Sequence, residues 1–275
     1  MSSLERMLGV LDAFSLDRPV WTVDGLTDAL DYTRSTTYRY VKELVDAGLL
    51  ARAGGGSYML GPRIIELDRQ IRLCDPLLAT AAPVMQALLS ECGPGVVLLC
   101  SLYRDRVLCV HQVRHAFARD ISYSRGRPMP LFHGATSKIM LAHLPERQLA
   151  RLFADHREEI AGTDLGGDWP AFTAALRTLR RAGICVSRGE VNEGVVGVAA
   201  PIFDAEKRLI GSLSRVLAEE DFDDRRLDDI AASVTGAAGR ISAGLAALTA
   251  EDGAGTAARV PQKSLSRSGA PLEAA

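Results

Sequence analysis

No apolar run in this chain approaches the roughly 20 residues needed to cross a bilayer. The opening residues, MSSLERMLGV, lack the cationic start, continuous apolar stretch and small-residue cleavage site of a secretory signal. The expectation is therefore a cytoplasmic protein. Cysteine is sparse: five residues, with no CxxC pair and one left over from any pairing. Neither a zinc site nor a disulfide framework follows from that pattern, and no metal or cofactor is expected. Charge of one sign is also missing, since the net charge is only −2. This excludes a globally basic nucleic-acid binder but not a local basic patch. No GxSxG sequence and no paired-carboxylate frame appears, so no catalytic residue is assigned. Gly54-Gly55-Gly56 precedes no helix that would cradle phosphate. His111 and His115 are four apart, but on a strand, where that spacing makes a poor metal site.

What is present is enough apolar material for a real core: 47% of 275 residues, with a length that suggests two domains. The most informative segment is TRSTTYRYVKELVDAG at 33–48. Thr37, Tyr40, Val41 and Leu44 stand at i, i+3, i+4, i+7, which builds one mostly apolar helix face. Ser35, Tyr38, Arg39 and Lys42 repeat the spacing two residues out of phase. At about 100° per residue that second stripe lies almost opposite the first. One face can bury while the other presents hydroxyls, a ring and two cations. Thr33 fits an N-cap and Gly48 a C′ residue.

Upstream, Leu4, Met7, Leu8, Leu11 and Phe14 give an amphipathic helix. Thr22 then caps a helix carrying Leu26, Ala29 and Leu30, with Trp21 and Leu26 placed as a hydrophobic staple. Downstream, LLARAGGGSYML reads as a hairpin turned at Gly54-Gly55-Gly56. Helix, helix, turn, helix, hairpin is the order of a winged helix-turn-helix. Residues 62–74 predict a connecting helix, and Pro76 marks a boundary. From about 77 to 249 the pattern is a helix, the hairpin VVLLCSLY–RD–RVLCVHQV and a strand near Ile121–Ser124. The loop Arg125–Leu131 and a helix through Lys138, Ile139 and Leu141 follow. Helices near 145–155 and 168–182, strands at 184–187, 196–203 and 209–216, and a helix at 223–248 complete it. This alternation predicts a mainly antiparallel sheet flanked by helices, an α+β domain. With Arg104-Asp105 as the turn, Cys100 and Cys109 fall opposite each other; the reading at this point is reduced, buried thiols. After Glu251 the chain is rich in small residues, Ser and Pro, and disorder is expected.

Several blocks, in order, resemble the IclR family of bacterial transcription regulators over roughly residues 3–248. They are ERMLGVLDAF, LTDAL, RSTTYRYVKELVDAGLL and YMLGPRIIEL, then GRPMPLFHGATSKIMLAHLP and SRGEVNEGVVGVAAPIFDAEKRLIGSLS. The resemblance implies a winged helix-turn-helix (1–62), a linker helix (63–76), an effector-binding domain (77–249) and a disordered tail (250–275). It also implies homodimers, often paired into tetramers, that bind double-stranded operator DNA under control of a small organic molecule. Many members have His-Ala-Thr-Ala-x-Gly-Lys where this chain has Phe132 to Lys138, with Phe132 at the His position, Ser137 at the Gly position and Lys138 kept. Some place Cys before Val-Ala-Ala-Pro, where this chain has Gly197. Ser214 keeps one of two serines seen after the next strand, and Val216 takes the place of the second.

For DNA the candidates are Arg34, Ser35, Thr36, Tyr38, Arg39 and Lys42 on the two-striped helix and Arg52 beside the wing. Arginine can fork onto guanine or clamp a phosphate, and hydroxyls near a helix start can meet phosphate or base edges. Across residues 1–63 seven cations face eight acids. Affinity must therefore come from positioned contacts and dimer avidity. For the effector the candidates are Ala135 and Thr136 at a helix start, whose N–H groups suit a carboxylate. Gly197 and Ser214 stand on neighbouring strands, and Met129, Leu131 and Phe132 would form an apolar wall favouring an aromatic or larger acid. Arg125, Arg127 and Arg188 could pair with an anionic ligand, although loop arginines are more often solvated. The competing reading is a small-molecule enzyme or sensor whose N-terminal helices serve oligomerisation.

Overall fold

The structure is a computed structural model that describes residues 2–116, 118 and 124–255. The chain divides into two compact units between Ala79 and Thr80.

In the first unit, α1 (Ser3–Gly9) starts with a capping box. The Ser2 hydroxyl accepts from the Glu5 amide and the Glu5 carboxylate accepts from the Ser2 amide. The amphipathic pattern running to Phe14 does not make one helix: α1 ends at Gly9 and a 3-10 turn covers Val10–Ala13. β1 (Trp21–Thr22) leads into α2 (Val23–Leu30), where Thr22 accepts from the Gly25 amide. Asp31, at φ +53, turns the chain toward α3 (Arg34–Asp46). β2 (Leu50–Gly54) and β3 (Ser57–Leu60) make the hairpin, and β1 pairs with β3 through Trp21↔Tyr58 and Thr22↔Ser57. The wing is thus a three-stranded sheet, β1-β3-β2. Val10, Trp21, Leu26, Tyr40, Val41, Leu44 and Leu50 form its core. Burying each aliphatic side chain among them stabilises the unit by about 1.5–3 kcal/mol. α4 (Arg63–Cys74) has no buried residue.

α5 (Pro76–Cys92) crosses the boundary and leads to the second unit's sheet. Its strands are β4 (Val96–Tyr103), β5 (Arg106–Arg114), β6 (Pro128–Met129), β7 (Cys185–Arg188), β8 (Val195–Phe203) and β9 (Leu209–Ala218). Their order is β6-β5-β4-β9-β8-β7 with every neighbour antiparallel, as the hydrophobic pattern predicts. The helices are α6 (Ala135–Leu141), α7 (Glu146–Asp155), α8 (Arg157–Ala161), α9 (Trp169–Ala182) and α10 (Leu227–Gly255). α6 lies on β8 and β9 with all seven residues buried. Val96, Leu98, Cys100, Cys109, Met129, Ala199 and Val216 share its core. Residues of the alternate parity, such as Val97, Leu99, Val196 and Val198, are also buried, so both faces of the sheet are covered.

α10 packs along β8 and β9. The segment Asp224–Ala250 is long and apolar enough to cross a membrane by length and composition, with mean hydropathy 1.2. It carries Asp228, Asp229 and Arg240 and buries Val234, Ala238 and Ile241 in the unit, as a core helix does. Residues 250–255, expected to be disordered, instead continue α10, which meets no proline before its end at Gly255. The strand expected near Ile121–Ser124 falls mostly on 121–123, outside the described residues, as does the tail from 256.

Candidate nucleic-acid interface and ligand cavity

α3 presents its two stripes as the spacing predicts. Thr37, Tyr40, Val41 and Leu44 are buried, whereas Ser35, Tyr38, Arg39 and Lys42 are exposed, Tyr38 to 57%. The buried stripe is tied down by polar contacts as well as packing. The Tyr40 and Ser3 hydroxyls lie 3.0 Å apart, and the Thr27 and Thr37 hydroxyls 3.1 Å apart. The helix starts on Thr33, whose hydroxyl accepts from the Thr36 amide, and Gly48 at φ +72 follows its C-terminus. The Ser35 and Thr36 hydroxyls sit 3.3 and 2.9 Å from that of Thr33, and Thr36 is half-buried. Arg34 is exposed but engaged, with Nε 3.1 Å from the Asp24 carboxylate on α2. Among the described residues no ion pair involves Arg39, Lys42 or Arg52. Tyr38, Lys42, Val45, Asp46, Arg52 and Tyr58 line a groove between α3 and the wing. Sequence reasoning missed Tyr58; its place in an alternating hairpin strand beside Arg52, its cross-strand partner, was the available signal.

In the second unit a small, partly open cavity with about 30 Å3 of free space lies at the start of α6. Met129, Ala135, Thr136 and Gly197 line it. Leu131, Phe132 and Ser214 do not: Leu131 and Phe132 pack into the core, and Ser214 is buried with its hydroxyl 2.9 Å from that of Thr136. The remaining lining comes largely from Ser187 on β7, from Glu190, Val191 and Asn192 in the loop after it, and from Val195 and Val216. A Cβ at Gly197 would stand 3.2 Å from Ser187 Oγ, so glycine lets that hydroxyl approach. Arg125, Arg127 and Arg188 are not in the lining; Arg188 pairs with Asp224, and Arg125 donates to the Val110 carbonyl.

The amides at the start of α6 are already engaged. Gly134 N–H donates to Glu190 Oε2 at 2.8 Å and Ala135 N–H to Ser187 Oγ at 2.9 Å. Glu190 in turn accepts from Lys138 Nζ at 2.6 Å, and Lys138, only 2% exposed, also meets Asp164 at 2.8 Å. Burial alone would depress the Lys138 pKa, but the two carboxylates outweigh it and hold the ammonium above its ordinary range. The signal for Glu190 was Lys138 itself. A lysine inside the apolar run ATSKIML must find a carboxylate, and SRGE is a loop that can supply one.

A helix whose outer stripe is polar, followed by a wing, and a separate unit with a cavity under its sheet define a helix-turn-helix transcriptional regulator with a ligand-binding domain. The chain belongs to the IclR family. The IclR helix-turn-helix domain matches residues 3–54, and the bacterial transcriptional regulator IclR C-terminal domain matches residues 75–243. It is 24% identical over 242 residues to the HTH-type transcriptional regulator KipR of Bacillus subtilis, covering 86% of this chain and 94% of that one. A putative IclR regulator from Silicibacter superposes with a TM-score of 0.77 at 20% identity, over 89% of this chain and 96% of the other. An IclR homolog from Microbacterium hydrocarbonoxydans, solved with 4-hydroxybenzoate, is 26% identical with a TM-score of 0.67, over 90% and 100% of the two chains.

Proposed function

We propose that this chain is a ligand-responsive regulator that reads a pseudo-palindromic operator through α3 and the wing. The observation that carries this reading is the outward stripe Ser35, Tyr38, Arg39 and Lys42, set against a buried stripe that fixes the helix. Arg39 reads a base edge. Arg34, Ser35, Thr36, Lys42 and Arg52 position the helix on phosphates, and Tyr38 lies against the backbone. The DNA-binding domain is residues 1–62 and the linker helix 63–76, with the effector domain beginning at 77. The protein works as a homodimer, or as two such dimers paired. In support, α4 buries nothing and leaves Ile65, Ile71 and Leu73 exposed to 73%, 52% and 66%, and Leu4 and Leu8 on α1 are exposed too. Two-fold symmetry would place two heads on half-sites about one helical turn or a multiple apart. Selection from a random DNA pool by the full-length protein tests this. It should enrich an inverted repeat of that spacing, retained less as salt rises. A pool that stays random would favour a small-molecule sensor or enzyme whose N-terminal helices serve oligomerisation.

The effector is a small organic acid, aromatic in its fit to the walls of Met129, Val191, Val195 and Val216. With about 30 Å3 of free space the cavity is far smaller than a ligand pocket, so its walls must part to admit a ring. The bound 4-hydroxybenzoate of the Microbacterium homolog supports this class. The acid's carboxylate would compete with Glu190 for the Gly134 amide, so binding would release Glu190 toward Lys138 alone. A ligand shifts DNA affinity only by preferring one arrangement of the heads, and α4 is the transmitter. Calorimetric titration of an acid found by thermal-shift screening should give different affinities with and without operator; equal affinities would mean no coupling.

A further inference from the structure

The register of β4 on β5 sets Cys100 directly opposite Cys109, in the short regular ladder closed by the Arg104-Asp105 turn. Opposed antiparallel residues have Cα atoms about 4.5–5.5 Å apart, inside the range a disulfide spans. Neither thiol is in a disulfide: Cys100 S–H donates to a third sulfur, Met129 Sδ, at 3.4 Å, and Cys109 S–H to the His111 carbonyl at 3.4 Å. Met129 is also part of the cavity wall. We propose that Cys100 and Cys109 are a thiol modification site, which small hydroperoxides convert to a reversible cross-strand disulfide.

The roles of the two sulfurs follow from their surroundings. The neighbouring Cys100 thiol, the His111 backbone and the Arg125 guanidinium hold the Cys109 thiol below the usual range, against the effect of burial. Cys100, beside Cys109 and fully buried, is pushed well above it and keeps its proton. Cys109 thiolate attacks one peroxide oxygen, the O–O bond breaks, and Cys109 becomes a sulfenic acid while the other oxygen leaves as hydroxide or alkoxide. Cys100 sulfur then attacks the sulfenic sulfur, its proton leaves with the displaced oxygen as water, and the disulfide forms. Two thiols are oxidised and one peroxide is reduced. Both sulfurs are buried, which excludes bulky oxidants. Met129 is shared by the cavity wall and the sulfur cluster, so a small oxidant coming from the cavity would have to pass its flexible side chain to reach Cys109. Closing the disulfide draws Cys100 away from Met129 Sδ and alters the cavity wall.

Cys185 is a built-in control: buried without an opposed thiol, its pKa is pushed up to about 12, chiefly by burial. The test uses full-length C74S/C92S protein, hydrogen peroxide, maleimide blocking and peptide mass mapping. The expected result is a linked Cys100–Cys109 peptide, lighter by two hydrogens and restored by dithiothreitol, with Cys109 consumed about tenfold or more faster than Cys185. Oxidised glutathione should give none of it. In C100S protein treated with peroxide and then unfolded in dimedone, a Cys109 sulfenic acid should be trapped without cross-linking. Should C100S not fold, mapping of the C74S/C92S protein decides alone. Undiminished labelling of both cysteines in peroxide-treated protein that keeps its near-UV spectrum would overturn the proposal. Consumption of Cys185 as fast as Cys109 would do so equally.

Discussion

Replacing Lys138 by methionine removes the ammonium that joins the start of α6 to the loop after β7, and the structure sets the size of the effect. At an effective dielectric of about 20, each contact near 3 Å is worth roughly 5 kcal/mol of Coulomb energy, most of it offset by stripping water from the charges. The two carboxylates are unequal. Asp164 has a side chain 66% exposed and regains water at little cost, whereas that of Glu190 is 24% exposed and would keep only the Gly134 amide. The loss therefore lies between a surface pair, at about 0–1 kcal/mol, and a fully buried one, at about 3–5 kcal/mol; we expect about 2–3 kcal/mol. Adding Glu190→Gln should recover about half, since the stranded charge is then gone. The chain's two tryptophans, Trp21 and Trp169, fall one in each unit, so Trp21→Phe protein reports unfolding of the second unit alone through Trp169 fluorescence. In urea, the midpoint should fall at constant slope. A loss under about 0.5 kcal/mol, or a double variant no better than K138M, would refute the reasoning. Because the folded pKa is raised, this contribution is complete below about 10.5 and is lost as pH climbs above it.

Two further expectations follow from other positions. A Cβ at Gly61 would stand 2.1 Å from the Gly48 carbonyl oxygen, so Gly61→Ala must part the wing's end from the residues after α3. It should cost about 3 kcal/mol or more, read from Trp21 in a Trp169→Phe background; a change within 0.5 kcal/mol would show that the backbone yields. Burial, with repulsion from Arg180, holds the His143 imidazole at about 4, and its Nε2 has no partner among the described residues. The folded unit takes up fewer protons than the unfolded chain, so stability is complete above about pH 6.5 and falls as pH drops toward 4. The loss is about 1–2 kcal/mol after allowing for half-exposure. His143→Phe should flatten that slope in urea titrations, and an unchanged slope would assign it elsewhere.

The parts of the fold that were legible are those with a period. α3 carried two phase-shifted stripes, an N-cap and a C′ glycine, four local signals in agreement. The antiparallel sheet showed in the β4–β5 hairpin because a two-residue turn between apolar runs sets the register as far as Cys100↔Cys109; the bulge that then pairs Leu99 with His111 left no mark in the pattern. β1 is too short to have a period, and Trp21 satisfies a staple and a strand pairing at once, so only the staple was visible. α8, five residues within polar sequence, lacked enough turns to stand out. The cavity was half legible. Ala135, Thr136, Gly197 and Met129 came from the helix start and strands, but Ser187 at the end of β7 and the loop residues Glu190–Asn192 arrive there by tertiary folding. The amides at the start of α6 were expected to await a ligand; the chain supplies Glu190 and Ser187 instead, since buried donors seldom remain unpaired.

The account rests on α3 reading DNA with its outward stripe, and fluorescence anisotropy on the selected inverted repeat tests that most directly. Wild-type affinity should fall steeply and linearly on a log–log salt plot. Arg39→Ala, folded and of unchanged oligomer size, should lose specific binding, down by about 1–3 kcal/mol or more per half-site. Equal affinity of wild type and Arg39→Ala across the salt series would contradict the assignment.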